Sequence, residues 1–206
     1  MEKLVVYKEP AGQIAEAYRI FCTNLLSGQA ENKVIEATGF ADNSTASLVV
    51  ANLAVTMAQA GKKVLLMDCN LHTPQQHELF ALNNSGITDC ITAGEDYKTF
   101  VQATQQTNLF VLTAGSIVVN SPAELLLSAA MQSIITDVKE TYDVVLLDVP
   151  PVGAASGAIT LGVKTDGVLL VIINKQAKVE QAKKAKEMFI KAGISVLGCV
   201  LVNVTM

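Results

Sequence analysis

The chain has 206 residues, of which 50% are hydrophobic and 17% are charged, and its formal net charge is −4. This length is enough for one α/β domain with a buried core, and the hydrophobic content excludes a mainly disordered chain. The acidic balance gives no electrostatic footprint for nucleic acid, and the single arginine, Arg19, makes bidentate phosphate recognition by arginines a poor expectation.

The first predicted element is a helix over about residues 10–27, which precedes the first strand. After it, apolar runs typical of buried parallel strands alternate with helical stretches. The predicted strands cover 33–38, 63–68, 109–114, 143–149, 167–173 and 196–204, and the predicted helices cover 47–60, 122–140, about 155–163 and 177–192. Residues 72–107 are polar and have no strong period, so they are expected to form short helices and loops.

This alternation predicts a doubly wound, mainly parallel sheet with helices on both faces, a three-layer α/β sandwich. No linker or repeat divides the chain, so residues 1–206 are expected to form a single domain. Gly61 and Gly193 directly follow two predicted helices, where a helix cap favours a residue that tolerates positive φ. No apolar run reaches the ~20 residues that cross a bilayer, and four scattered cysteines predict reduced thiols in a cytoplasmic protein.

The segment VIEATGFADNSTASLVVANLAV, at 34–55, has the strand, loop and helix of a phosphate-binding P-loop. The loop nevertheless contains no lysine and only one glycine, at its start. Such a loop cradles phosphate through backbone N–H groups only where the chain can adopt positive φ, and the β-branched Thr45 is poorly suited to that. The sequence therefore favours the remains of a nucleotide site.

Four segments in a fixed order carry a resemblance to a known family: EAYRIFCTN at 16–24, ANLAVTMAQAGKKVLLMDCNLHTPQQHELF at 51–80, NSPAELL at 120–126 and YDVVLLDVPPVG at 142–153. They resemble the bacterial tyrosine kinases of capsule and exopolysaccharide operons, which are P-loop proteins related to the partitioning and septum-positioning ATPases. The resemblance spans about residues 12–204. It implies a P-loop NTPase-like fold, with ATP and Mg²⁺ as cofactors only if the site has survived.

The resemblance places the phosphate loop at residues 43–47. Thr45, Ala46 and Ser47 are then vestigial nucleotide-binding residues, because the loop's glycines and lysine are absent. The lysine normally neutralises phosphate oxygens through charge-assisted hydrogen bonds. Ser47 retains the hydroxyl that binds magnesium in the family, and Asp148, at the end of the intact Walker B strand, retains the carboxylate that holds magnesium through water.

The family's D-x-D-x-R motif reads DCNLH at residues 68–72. Asp68 keeps the first carboxylate, but Asn70 cannot act as a general base or as a carboxylate ligand. Asp68 and Asp148 are therefore vestigial catalytic residues in this reading, and they are expected to end neighbouring strands near the helix that begins at about Ser47. Asn203 matches an asparagine that contacts adenine in the superfamily, although a capping role is an equal alternative. The sequence ends in LVNVTM, without the tyrosine cluster that the family phosphorylates on itself.

The resemblance also concerns assembly. The family's E-x-x-R-x-x-R element, which pairs neighbouring subunits in a ring, reads Glu16, Arg19 and Cys22. The last arginine is lost, so a monomer or weak dimer is expected instead of a ring. In the bare sequence, Glu16 and Arg19 could equally form an intrahelical pair, since residues at i and i+3 share a helical face.

These losses affect phosphate binding, catalysis and the phosphorylated tail separately. They favour a non-catalytic, pseudokinase-like regulator or scaffold, which is expected to bind a membrane adaptor of the polysaccharide export machinery or a catalytically active relative. An adaptor would recruit the protein to the inner face of the membrane. Two alternatives stay open: an active tyrosine kinase that uses another lysine, such as Lys62 or one from a neighbouring subunit, and a partitioning-type binding module.

Overall fold

A seven-stranded sheet lies at the centre of the computed structural model, which describes residues 4–27, 34–40, 43–116, 120–152, 157–174 and 179–203. The strands are β1 (Val34–Thr38), β2 (Val64–Asp68), β3 (Gln102–Ala103), β4 (Leu109–Leu112), β5 (Val144–Asp148), β6 (Gly167–Ile173) and β7 (Val196–Val202). Their order across the sheet is β3-β4-β2-β5-β1-β6-β7. All neighbouring pairs are parallel except β3 with β4, which is antiparallel.

Helices cover both faces of this sheet. They are α1 (Val5–Lys8), α2 (Gln13–Ser27), α3 (Asn43–Gln59), α4 (Gln76–Phe80), α5 (Ile87–Ala93), α6 (Pro122–Leu127), α7 (Ala129–Thr141), α8 (Gly157–Gly162) and α9 (Val179–Lys191). Buried side chains of α1 to α4 pack in one apolar layer, and those of α5 to α9 pack in the other. The predicted three-layer, doubly wound α/β fold is therefore confirmed.

The burial of the central strands explains their continuous apolar sequences. Every residue of β1, β2 and β5 is buried, because helices shield both faces of these strands. Burial of this kind is the main source of stability for the sheet. It also makes any charged side chain in these strands costly, unless the chain supplies hydrogen-bond partners.

Helix α3 carries the buried polar residues Ser47, Asn52 and Thr56, and the last two have specific partners within the chain. Asn52 accepts a hydrogen bond from the backbone N–H of Val6 at 3.2 Å, and its amide donates to the carbonyl of Leu48 at 2.8 Å. The Thr56 hydroxyl donates to the carbonyl of Asn52 at 2.8 Å. These bonds satisfy the polar groups and attach α1 to α3, which fixes the N-terminal segment against the core.

Some predicted boundaries are wrong in informative ways. The helix expected at 47–60 begins at Asn43, and the helix expected at 122–140 is divided at Ser128, whose hydroxyl accepts the backbone N–H of Met131 and so starts α7. The short elements α1 and β3 were not predicted. Gly61 and Gly193 do adopt positive φ, at 84° and 73°, as their positions after α3 and α9 predicted. Across the described ranges, no helix combines the length and apolar character that a membrane span requires.

Candidate functional site

The candidate site lies where β2 and β5 end. Asp68 and Asp148 are the last residues of these neighbouring parallel strands, and they stand opposite each other in the register. Adjacent strands are about 4.8 Å apart, so the two side chains share one site, as the sequence predicted. Both residues are completely buried.

Asp68 is held by backbone N–H groups that follow its own strand. Its Oδ1 accepts from Asn70 at 3.2 Å, and its Oδ2 accepts from Gln75 at 3.0 Å and from Gln76 at 2.9 Å. The last two donors belong to the start of α4, where N–H groups lack partners within the helix. The segment after β2 thus folds back on Asp68, and three of its backbone N–H groups donate hydrogen bonds to the carboxylate.

Asp148 receives a different partner. The side-chain amide of Gln76 donates through Nε2 to Asp148 Oδ2 at 2.7 Å, and the same nitrogen donates to the carbonyl oxygen of Ser47 at 3.1 Å. Gln76 is completely buried. Within the described ranges, Asp148 Oδ1 and Ser47 Oγ are buried and have no hydrogen-bond partner of standard geometry.

Burial and mutual repulsion disfavour the state in which the Asp68 and Asp148 carboxylates are both charged. The pKa of Asp68 is raised, first by burial and then by the negative charge of Asp148, while its three backbone donors partly offset the rise. The pKa of Asp148 is also raised by burial, and Gln76, followed by Ser47, favours its charged form. The pair therefore holds a proton more readily than two exposed carboxylates would.

The residues aligned with the phosphate loop form helix instead of loop. Helix α3 begins at Asn43, so residues 43–47 make its first turn, and the sequence expectation of a loop here was wrong. Ala46 is completely buried in a small apolar cluster with Val49 and Val171. Among the described residues that are not glycine, positive φ occurs only at Ala81 and Asn108, so residues 43–47 all have ordinary helical backbone conformations.

Asn203 lies away from the carboxylates. It follows β7, which is separated from β5 by β1 and β6, a distance of about 14 Å across three strand spacings. Its Oδ1 accepts a hydrogen bond from Asn174 Nδ2 at 2.7 Å, and both side chains are exposed. The structure therefore links Asn203 to the loop after β6, and its adenine-binding role stays a prediction.

Glu16 and Arg19 contact each other on the surface of α2. Arg19 Nη2 lies 2.7 Å from Glu16 Oε2, and Arg19 Nη1 donates to the carbonyl of Pro10 at 2.9 Å. The intrahelical alternative is thus the arrangement observed in this chain. Both side chains are largely exposed, so the pair contributes little to stability. Whether the residues also act in assembly stays a prediction.

Two buried polar residues near the site were missed by sequence reasoning. Gln76 gave no signal, because the segment around it has no clear period. Glu36 could have been noticed, since it interrupts the apolar run of β1. It is completely buried, and neither of its carboxylate oxygens has a hydrogen-bond partner within the described part of the chain. Burial raises its pKa well above the usual range.

Known proteins resemble both the sequence and the fold of this chain. The ParA profile described as NUBPL iron-transfer P-loop NTPase matches residues 45–205. The tyrosine-protein kinase YwqD of Bacillus subtilis is 37% identical over 201 residues, which cover 96% of this chain and 84% of YwqD. CapB of Staphylococcus aureus, named as a candidate tyrosine-protein kinase, is 35% identical over 96% of this chain and 88% of its own length.

A solved structure supports the same relationship. The kinase domain of the Escherichia coli tyrosine kinase ETK superposes with a TM-score of 0.91, covers 98% of this chain and 80% of its own, and is 27% identical. The arrangement of Asp68 and Asp148 at the ends of neighbouring parallel strands therefore belongs to a P-loop NTPase-like fold.

Proposed function

Because this chain belongs to the bacterial tyrosine kinase family, whose fold is of the ParA-type P-loop class, we propose that it is a non-catalytic member that regulates or scaffolds capsule or exopolysaccharide biosynthesis and export. The observation that carries this proposal is the buried, uncharged Ala46 in the first turn of α3, at the position of the family's lysine. The N–H groups of a helix N-terminus can bind phosphate, but Ala46 supplies no positive charge to neutralise the phosphates of ATP. Homology alone is equally consistent with an active kinase.

The residues present fit a metal ion better than they fit a nucleotide. Ser47 Oγ and Asp148 Oδ1 are buried oxygens without partners of standard geometry in the described ranges, and hard divalent cations prefer such ligands. The phosphates have no equivalent support, because Ala46 stands where the family's lysine would neutralise them and its side chain packs in an apolar cluster. Nucleotide binding is therefore expected to be weak even if a cation can enter.

A function without catalysis depends on binding a partner. The resemblance to bacterial tyrosine kinases implies that this partner is a membrane adaptor or a catalytically active relative. We place the protein in the cytoplasm, where an adaptor would recruit it to the inner face of the membrane. Cys22 stands in place of the last arginine of the family's assembly element and is buried, which supports a monomer or weak dimer over a ring.

An active kinase is the second candidate, and the buried Ser47 hydroxyl beside the Asp148 carboxylate is the observation that favours it. It would need a lysine from elsewhere. Lys62 of the same chain cannot supply that charge, because it lies beyond the far end of α3, about 20 Å along the helix from Ser47. For this candidate we propose a lysine from a neighbouring subunit as the source of that charge.

Phosphotransfer with γ-labelled ATP tests the proposal. The purified chain is incubated with Mg²⁺, alone and with the cytoplasmic tail of a polysaccharide-export adaptor, and compared with Asp148→Ala. We expect no labelling of either protein above the Asp148→Ala background. Labelling that depends on Asp148 would overturn the proposal and establish the active-kinase alternative.

A further inference from the structure

Gln76 joins three segments of the candidate site through one residue. Its backbone N–H donates to Asp68 Oδ2 at 2.9 Å, and its side-chain Nε2 donates to Asp148 Oδ2 at 2.7 Å and to the Ser47 carbonyl at 3.1 Å. One buried residue therefore contacts both carboxylates and the first turn of α3. Both hydrogens of the Gln76 amide nitrogen are directed at oxygen atoms.

This pattern of contacts is the one that a divalent cation would make. A cation is held where carboxylate and carbonyl oxygens converge, and here an amide NH₂ group meets one oxygen of each kind. An amide nitrogen gives partial positive charge at two hydrogens, but it brings no net charge. The amide can therefore donate a hydrogen bond to each of the two oxygens, but it does not neutralise the negative charge of the carboxylates.

We propose that the Gln76 side chain is an internal substitute for the divalent cation of this site, and that it withholds Asp148 Oδ2 and the Ser47 carbonyl oxygen from metal ions. This inference rests on the proposed loss of nucleotide chemistry at the same site and names a residue that enforces it. A cation can reach Asp148 Oδ2 only after the carboxamide has left.

The surroundings of Gln76 keep its side chain in place. Helix α4 is anchored by the buried Leu79 and Phe80, and the N–H groups of Gln75 and Gln76 are both bound to Asp68. The amide thus lies on a fixed backbone and is shielded from solvent.

The test measures Mn²⁺ binding without nucleotide, by the loss of the electron paramagnetic resonance signal of free Mn²⁺. Wild-type protein is compared with Gln76→Ala, which removes the amide, and with Gln76→Glu, which replaces it by a carboxylate. Gln75→Ala is the matched control, because it changes the adjacent side chain and keeps the backbone donor to Asp68. Thermal unfolding with and without Mn²⁺ is recorded for every variant.

We expect wild type and Gln75→Ala to bind Mn²⁺ equally weakly, and both Gln76 variants to bind at least about tenfold more tightly, within the range by which residues around a metal site change its affinity. Mn²⁺ should also raise the unfolding temperature of the Gln76 variants only. If Gln76→Ala does not fold, Gln76→Glu carries the comparison. Equal binding by wild type and the folded variants would overturn the proposal. That failure would leave the proposed function standing, because no nucleotide is present in this experiment.

Discussion

Asp68 and Asp148 end adjacent parallel strands in direct register, and both are completely buried. They differ in how they are held, since Asp68 accepts three backbone N–H groups whereas Asp148 accepts the side-chain amide of Gln76. In a working P-loop protein, a cation would stabilise such a pair. The donors described here are N–H groups of the chain itself, and we propose that they take the place of the cation.

Removing one charge from the pair should stabilise the protein at high pH. Both folded-state pKa values are raised, so the stability that the protonated form provides is present at low pH and is lost as the pH rises through the folded pKa. Asp148→Asn should therefore raise the free energy of unfolding at pH 8 by about 1 kcal/mol, with a smaller gain at pH 5. Urea unfolding at both pH values measures this, with the exposed Glu140→Gln as control. A loss of stability at pH 8 would show that Asp148 is favourably charged.

Replacing the isolated carboxyl group of Glu36 should also stabilise the fold. Its oxygens are buried without partners in the described residues, and its raised pKa means that stability falls as the pH rises. Glu36→Leu should raise the free energy of unfolding by about 1–3 kcal/mol at neutral pH, because it removes an unsatisfied polar group. The gain should grow between pH 5 and pH 8. A destabilised Glu36→Leu variant would indicate that Glu36 has a partner outside the described ranges.

Two glycines provide a matched test of how closely the backbone packs around them. A Cβ atom at Gly86 would lie 1.9 Å from the carbonyl oxygen of Thr113, whereas a Cβ atom at Gly198 in β7 would meet no atom within 4 Å. Gly86→Ala should lower the free energy of unfolding by about 2–3 kcal/mol through overpacking, and Gly198→Ala should change it by less than about 0.5 kcal/mol. Similar effects of the two substitutions in urea unfolding would contradict this description of the loop before α5.

The oligomeric state tests the role of α2. We expect a monomer or weak dimer by light scattering at tens of micromolar protein. Arg19→Ala should leave the mass unchanged, and it should lower stability by only about 0.2–0.5 kcal/mol, the size of an exposed helical pair. A stable ring that disappears in Arg19→Ala would show that the family's assembly has survived.

The sequence was sufficient for the six parallel strands of the sheet but not for the site. Long apolar runs such as those of β5 and β6 predict buried strands, because a strand that is covered on both faces has apolar residues at consecutive positions. The position of Asp68 beside Asp148 also followed, since parallel strands end at one edge. The helical turn at 43–47 and the contacts of Gln76 did not, because they depend on tertiary packing and not on local periodicity.

The short elements show the same limit. The 3-10 helix at Tyr97–Thr99 and the two-residue strand β3 lie in the polar segment 72–107. This segment has no strong hydrophobic period from which individual elements could be predicted. Ser128 ends one helix and caps the next, although PAELLLSAAMQS reads as one continuous helical pattern. Caps and edge strands of this kind are decided by single hydrogen bonds.

Calorimetry of Mg-ATP binding tests the central claim most directly. The protein is titrated with ATP and with ADP in excess Mg²⁺, and Asp148→Ala serves as the control. Without a phosphate cradle and its lysine, we predict a dissociation constant of about 1 mM or weaker, equal for wild type and Asp148→Ala, which corresponds to a binding free energy of about −4 kcal/mol or less in magnitude. Micromolar binding by wild type that is lost in Asp148→Ala would contradict the claim that this is a non-catalytic member of its family.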